Sequence, residues 1–296
     1  MAPPNAVLAR GHILHTSGMK IATLPNGLKL QYDVLGSPSR PVVMPILGIT
    51  DNITDWPERF CDEFLDAGYC VVRHELRDMG RSSPCPGVEY TIADIAGDVI
   101  LLMDHLNITQ ADLIGYSFGG AIAQVLALDA PHRVRRLVLL QSSNYNPRLP
   151  ARTKDIEAAM AAACRIHGDR ESDIDAIRLL RLACGGSEHF MSDQEARESA
   201  ERSVARAYRP EGTARLIGAR VRTAPFNHRL SEIRSRTLVL QATEDPIFPL
   251  GHGEDIARCV PRALLAYLRG AGHNHPDSLH AEMLGMITEF LGRVSE

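Results

Sequence analysis

The sequence predicts an α/β fold, with a mostly parallel sheet covered by helices on both faces. Short apolar segments alternate with longer amphipathic ones, which is the pattern of strands joined by crossover helices. A Gly-Tyr-Ser-Phe-Gly pentapeptide at 115–119 joins an apolar run to an alanine-rich, helix-forming run. The chain has 296 residues, 45% of them hydrophobic. It can therefore bury a large core as one domain with an insertion.

The N-terminal elements follow this alternation in order. Residues 20–24 and 28–34 have strand character and flank Pro25-Asn26-Gly27, which is a hairpin signal. The next predicted elements are a strand at 42–47, a helix at 55–67, a strand at 69–76 and a helix from 91 to 106. Thr91 is the predicted N-cap of that last helix, with Asp94 in its first turn.

The alternation continues around the pentapeptide and returns near the C-terminus. The predicted elements are a strand at 111–114, a helix at 121–128, a strand at 134–141, a strand at 237–242, a helix at 253–259 and a strand at 263–268. Catalytic loops are expected outside the carboxyl ends of these strands. Between Gln141 and Thr237 about ninety residues lack a convincing strand and contain four helical runs, at 154–167, 173–184, 193–208 and 212–222.

The pentapeptide predicts a nucleophile at Ser117. Gly115 and Gly119 lack the Cβ atoms that would clash where a strand turns directly into a helix. The serine would then occupy a strained turn at a helix N-terminus, where its hydroxyl is exposed and the helix dipole favours negative charge. An ordinary strand-to-helix turn is the alternative interpretation.

A serine nucleophile needs a base and an acid that orients the base. The predicted strand at 237–242 is followed by Thr-Glu-Asp-Pro at 243–246, which offers Glu244 and Asp245. The last predicted strand is followed by Gly-Ala-Gly-His-Asn-His-Pro at 270–276, which offers His273 and His275. No pair of histidines has the spacing and acidic company of a zinc site, so no metal is predicted.

These segments together resemble the α/β-hydrolase family. The resemblance rests on the pentapeptide, on 243–246, on Gly-Ala-Gly-His at 270–273 and on Leu-Arg-Asp-Met-Gly-Arg-Ser-Ser at 76–83, and it runs from about residue 20 to 293. It implies an eight-stranded, mostly parallel sheet with a helical cap. Trp56 and the 77–82 stretch are similar to bacterial esterases such as the anthracycline methylesterases.

The family pattern assigns roles to the candidates. It places the acid directly before Pro246, which favours Asp245 over Glu244, and the base directly after Gly272, which favours His273 over His275. The oxyanion hole should use the N–H of Phe118 and a second N–H from the loop after the third strand. Relatives have His-Gly there and this chain has Leu47-Gly48. Ile49 is the first choice for the second donor, and Gly48 is the alternative.

The resemblance also divides the chain. We expect an N-terminal arm at 1–19, a core at 20–146 and 234–296, and a helical cap at 147–233. The expected walls of the substrate pocket are Leu47, Tyr116, Met160, Leu216 and His275.

Composition limits the other possibilities. The formal net charge is −4, which disfavours nucleic-acid binding. The longest apolar runs fall short of a membrane span, and residues 1–20 lack the pattern of a signal peptide. Six cysteines have no spacing typical of a disulfide framework or metal clip. A cytoplasmic location is expected, as a monomer or a homodimer.

The sequence therefore predicts a serine hydrolase that cleaves a small-molecule carboxylic ester or lactone through an acyl-enzyme and requires no cofactor. Three alternatives remain: a cofactor-free carbon–carbon hydrolase or lyase, a thioesterase or acyltransferase, and a ligand receptor with little turnover.

Overall fold

The computed structural model describes residues 18–292, so nearly all of the predicted arm at 1–19 lies outside the described residues. Eight strands form one sheet in the order β1-β2-β4-β3-β5-β6-β7-β8. The β1–β2 and β2–β4 pairs are antiparallel and every later pair is parallel, which confirms the predicted sheet. The strands are β1 (Lys20–Thr23), β2 (Lys29–Leu35), β3 (Val42–Ile46), β4 (Cys70–His74), β5 (Ala111–Tyr116), β6 (Val134–Leu140), β7 (Arg236–Ala242) and β8 (Leu264–Leu268).

The described helices include four that the sequence predicted around the sheet. They are α1 (Glu58–Asp66), α2 (Ile92–His105), α3 (Phe118–Asp129) and α8 (Gly251–Cys259). Thr91 caps α2 as predicted, because its hydroxyl accepts from the Asp94 N–H while the Asp94 carboxylate accepts from the Thr91 N–H. A final helix, α9 (Asp277–Gly292), was not predicted and packs beside α1.

Two apolar clusters cover the two faces of the sheet. Alternate residues of β3 divide between them: Val42, Met44 and Ile46 pack with residues of α2 and α3, whereas Val43 packs with residues of α1 and α9. This alternation follows from the two-residue period of a strand. The sheet is therefore buried on both faces, and its carboxyl edge is left to the loops.

Four helices lie between β6 and β7, where the sequence predicted helices and no strand. They are α4 (Lys154–Ala163), α5 (Arg170–Ala183), α6 (Asp193–Ala207) and α7 (Pro210–Arg222). A third apolar cluster joins α4, α5 and α6 to Ile247 and Phe248, which follow β7. Buried carboxylates of the 75–78 turn pair with this segment, Glu75 with Arg206 and Asp78 with Arg215.

The segment 184–189, which we call the strap, follows α5 and packs against the loop at 270–273. The Cys184 carbonyl accepts from the His273 N–H at 2.6 Å, and the Gly270 carbonyl accepts from the N–H groups of Glu188 and His189 at 3.0 Å. A Cβ atom on Gly186 would lie 2.6 Å from the Ala271 carbonyl carbon and even closer to the Gly270 oxygen. The strap therefore requires glycine to approach this loop.

We expect Gly186→Ala to destabilise the protein by about 1–3 kcal/mol, because the added methyl group meets backbone that cannot rotate away. Gly285→Ala is the matched control. Gly285 is solvent-exposed in the middle of α9, and no atom lies within 4 Å of an added Cβ. That change should be neutral or stabilise by about 0.5–1 kcal/mol through helix propensity. Urea unfolding measures both values, and equal stability of the two variants would contradict the packing argument.

Candidate active site

Ser117 is the single residue between β5 and α3. Its backbone has φ 54° and ψ −121°, a conformation that residues other than glycine rarely adopt. The turn is close-packed, because a Cβ on Gly115 would lie 2.5 Å from the Gly120 Cα and a Cβ on Gly119 would lie 2.6 Å from the Ile46 carbonyl carbon. The glycines of the pentapeptide thus permit the strained turn that presents the serine.

The structure brings Ser117, His273 and Asp245 together. His273 Nε2 lies 2.9 Å from Ser117 Oγ, and His273 Nδ1 lies 2.7 Å from Asp245 Oδ2. The second carboxylate oxygen of Asp245 accepts from the N–H groups of Ile247 and Phe248 at 2.9 and 2.8 Å. All three side chains are buried. The carboxylate is therefore fixed by its own loop and presents one oxygen to the imidazole.

The two rival candidates have other partners. The Glu244 carboxylate is exposed and accepts from the N–H and the hydroxyl of Ser187 in the strap, at 2.7 and 2.6 Å. His275 Nε2 lies 2.7 Å from Gln141 Oε1, and burial lowers the pKa of His275 to about 3. His275 is therefore neutral near pH 7 and hydrogen-bonded away from Ser117.

The candidate oxyanion donors differ in their availability. The Gly48 N–H donates to Asp51 Oδ2 at 3.0 Å. Among the hydrogen bonds of residues 18–292, none uses the N–H of Ile49 or of Phe118. Both of these residues, and Gly48, line the cavity above Ser117. The structure thus leaves Ile49 and Phe118 as available donors, whereas the Gly48 N–H is occupied.

The loop that carries His273 is held by side chains from the sheet. The Tyr116 hydroxyl donates to the His273 carbonyl at 2.6 Å, and the Gln141 amide donates to the Gly272 carbonyl. Gln141 directly follows β6 and has a φ of 47°. Sequence reasoning missed Gln141, although its place at the carboxyl end of a strand was a signal for it.

A cavity of about 580 Å³ lies above the serine, between the sheet edge and the four helices that follow β6. Three of the residues proposed as walls of the substrate pocket line it: Tyr116, Met160 and His275. Leu47 and Leu216 do not: both are fully buried in the apolar clusters of the sheet. The prediction for Leu216 was wrong because α7 turns this residue toward the core.

Other groups in the cavity were not predicted. Tyr145 lies in the loop after β6 with a φ of 53° and lines the cavity together with Arg152 and Arg220. Asp51 also lines it. Burial and the neighbouring Asp55 carboxylate raise the pKa of Asp51 to about 7. The signal for Tyr145 was again its position after a strand, whereas the arginines have no sequence signature.

Neither a candidate metal site nor a candidate membrane span is present among residues 18–292. No group of three histidine, cysteine or carboxylate side chains there could hold a metal ion. None of the helices in that range is long and apolar enough to cross a membrane.

Comparison with known proteins gives consistent matches. Residues 41–163 match a family model described as the alpha/beta hydrolase fold. The chain is 25% identical over 278 residues to rhodomycin D methylesterase of Streptomyces peucetius, covering 86% of this chain and 91% of the relative. It is 28% identical over 268 residues to a putative carbamate hydrolase of Variovorax paradoxus, covering 90% and 98% of the two chains.

Solved structures agree with the fold. The crystal structure of a hydrolase from Pseudomonas aeruginosa superposes with a TM-score of 0.75 at 27% identity, over 94% of this chain and 100% of that one. The sheet order, the family match and these relatives show that the chain has the α/β-hydrolase fold and is similar to bacterial esterases and hydrolases.

Proposed function

We propose that this protein is a serine hydrolase that cleaves a carboxylic ester or lactone through an acyl-enzyme. The hydrogen-bonded series Ser117–His273–Asp245, facing the cavity at the carboxyl edge of the sheet, carries this proposal. A nucleophile, a base within hydrogen-bond reach and an acid that orients the base are the parts that acyl transfer needs.

The first step is attack on the ester carbonyl. His273 Nε2 takes the Ser117 proton as Oγ bonds to the carbonyl carbon, and the carbonyl oxygen becomes an oxyanion. Asp245 accepts from the Nδ1–H of His273, which fixes the tautomer with a free Nε2 and stabilises the imidazolium. His273 then protonates the departing alcohol, and the acyl group stays on the serine.

The N–H groups of Phe118 and Ile49 bind the oxyanion. Donors already directed at the developing charge cost no reorganisation during the reaction, and removing one such donor typically lowers kcat by about 10²–10³. Water, deprotonated by His273, attacks the acyl-enzyme in the second half of the cycle and releases the acid.

We also propose that the segment 147–233 acts as a cap. Its helices supply Met160, Ile177 and Leu180 to the cavity wall, opposite Ser117 on the core. Such a cover excludes water from the site and determines which substrates fit, while the reacting groups stay on the sheet.

The names of the relatives support ester chemistry, since one of them is a methylesterase. The same triad could serve a carbon–carbon hydrolase. Wild-type protein should therefore be assayed on a panel of short aryl esters, lactones, thioesters and 1,5-diketones. Turnover of esters or lactones supports the proposal, whereas cleavage of the diketones alone would assign the carbon–carbon reaction instead.

We expect Ser117→Ala to lose covalent labelling by a fluorophosphonate and to lower kcat on the best substrate by about 10⁴–10⁶, because the nucleophile is removed. Labelling followed by mass spectrometry locates the adduct, and the turnover assay gives kcat. Near-normal turnover by this variant would exclude the acyl-enzyme mechanism.

His273→Ala should lose far more activity than His275→Ala. His273 is the base within 2.9 Å of Ser117 Oγ, whereas His275 donates to Gln141 and only positions the loop. The two residues lie in the same loop, so each variant controls for the other. Steady-state kinetics decides the question, and equal or reversed losses would show that the base has been assigned to the wrong histidine.

The raised pKa of Asp51 predicts that this residue contributes to stability in a pH-dependent way. Its pKa is about 7 in the folded protein and near 3.8 when unfolded, so between these values the folded state holds a proton that the unfolded state has lost. The contribution of Asp51 to stability therefore falls as pH rises from about 4 to 7 and is constant above that. Asp51→Asn keeps an acceptor for the Gly48 N–H but cannot ionise.

The free energy of unfolding of Asp51→Asn, relative to wild type, should therefore increase between pH 4 and 7 and then level off. Urea unfolding at several pH values measures it. Asp66→Asn, at an exposed position on α1 outside the cavity, controls for the loss of one carboxylate. A difference for Asp51→Asn that does not change with pH would contradict this assignment.

A further inference from the structure

Two guanidinium groups lie at one end of the cavity beside Tyr145. The Arg220 guanidinium carbon is 4.6 Å from the centre of the Tyr145 ring, and both residues line the cavity that contains Ser117. When a guanidinium lies over an aromatic face, its N–H groups remain free to donate to a ligand in the plane of the guanidinium. Arg152 lines the same wall and contacts the Met160 sulfur.

Arg220 is not neutralised by the protein. Within the described range 18–292, its guanidinium makes no ion pair within 4.0 Å and no hydrogen bond, and its contact there is the one with the Tyr145 ring. The nearest carboxylate to Arg152 is Glu157, whose Oε1 is 4.0 Å from Nε, at the outer limit of an ion pair. Positive charge at this wall is therefore available to a ligand.

The other carboxylates around the cavity have partners of their own. Asp55 pairs with Arg181 at 2.7 Å. Glu195 accepts from the N–H and the hydroxyl of Ser192, which completes a helix cap, and Glu198 accepts from the Gln194 amide. None of these carboxylates forms an ion pair with Arg220.

Tyr145 adds a hydroxyl donor at the same place. Within the described part of the chain, the Tyr145 hydroxyl makes no hydrogen bond, whereas the backbone N–H donates to Ser143 Oγ. Burial raises the pKa of Tyr145 to about 12, so the hydroxyl keeps its proton. Its φ of 53° is a strained conformation for a bulky residue. Strain of this kind persists where the surrounding structure enforces it, and it collects at ligand sites.

Aromatic rings connect this wall to the triad. The Tyr145 ring is 6.0 Å from the Phe248 ring, which is 5.6 Å from the His273 ring. An extended ligand could lie along these rings with its ester at Ser117 and its other end at Arg220.

We propose that Arg220, Arg152 and the Tyr145 hydroxyl form a subsite that binds a carboxylate of the substrate, so that the ester cleaved at Ser117 carries an anionic group at its far end. The guanidinium fork matches the two oxygens of a carboxylate, and the tyrosine hydroxyl can donate to one of them. This inference rests on the proposed esterase function and names its substrate class.

Kinetics on paired substrates tests the subsite. The pairs are mono-4-nitrophenyl esters of dicarboxylic acids, from succinic to suberic, and neutral acyl esters of equal length. Wild type should prefer the carboxylate ester at one chain length, as measured by the ratio of the two kcat/KM values. Arg220→Gln should lower that ratio by about 10- to 100-fold, since it removes a charge-assisted bidentate contact.

Two further variants separate charge at the subsite from charge in general. Arg220→Lys keeps the charge without the planar fork and should retain an intermediate ratio. Arg234→Gln removes the same charge at an exposed position outside the cavity and should leave the ratio unchanged. A wild-type ratio near one at every length, or the same ratio in wild type and Arg220→Gln, would overturn the proposal.

Binding without turnover separates this inference from the proposed function. Ser117→Ala protein is titrated calorimetrically with the free dicarboxylates of the same series, alone and combined with Arg220→Gln. Binding that weakens about tenfold or more in the double variant supports the subsite even if the ester mechanism fails. Equal binding by the two proteins, or none by either, would exclude the subsite even if ester turnover is established.

Discussion

The position of His273 depends on how the loop at 270–275 is held, and the remainder of the site is arranged around that constraint. The sheet fixes the loop from one side, through Tyr116 and Gln141, and the strap fixes it from the other, through the Cys184 carbonyl. Each of these contacts acts on the backbone of the loop, so the imidazole needs only the bond to Asp245 to complete its orientation. The proposed mechanism requires a base that is aligned to within a fraction of an ångström, and a loop bonded on both sides provides that alignment before substrate binds.

The strap also couples the four-helix segment to the acid. Ser187 donates twice to Glu244, the neighbour of Asp245, while the strap's carbonyl and N–H groups bond the loop of the base. Further along the segment, the Glu75–Arg206 and Asp78–Arg215 pairs tie α6 and α7 to the core, and both carboxylates are fully buried. Breaking a buried pair leaves an uncompensated charge, which is costly. The helices that wall the cavity are thus anchored to the core at the strap, at α6 and at α7.

The features that depend on neighbouring residues in the chain could be predicted from the sequence. The eight strands, the Thr91 cap and the serine turn follow from periodicity, capping chemistry and glycine, and the order of Ser117, Asp245 and His273 placed three side chains at one sheet edge. The contacts that hold those side chains lie far apart in the chain, as between Gln141 and Gly272 or Cys184 and His273. Leu216 shows the same limit: the period of α7 marks an apolar face but does not say whether that face meets the cavity or the core.

Three residues with positive φ stand at the carboxyl ends of adjacent strands: Ser117 after β5, and Gln141 and Tyr145 after β6. In the proposed mechanism each has a different task, because the first presents the nucleophile, the second supports the loop of the base and the third forms the wall beside Arg220. A positive φ turns the chain sharply, so that the side chain departs from the direction of the strand and lies over the edge of the sheet. Each such residue costs about 1–3 kcal/mol, which the buried sheet on both faces can sustain. At these three positions the strain therefore lies where the chain leaves the carboxyl edge of the sheet, beside the proposed active site.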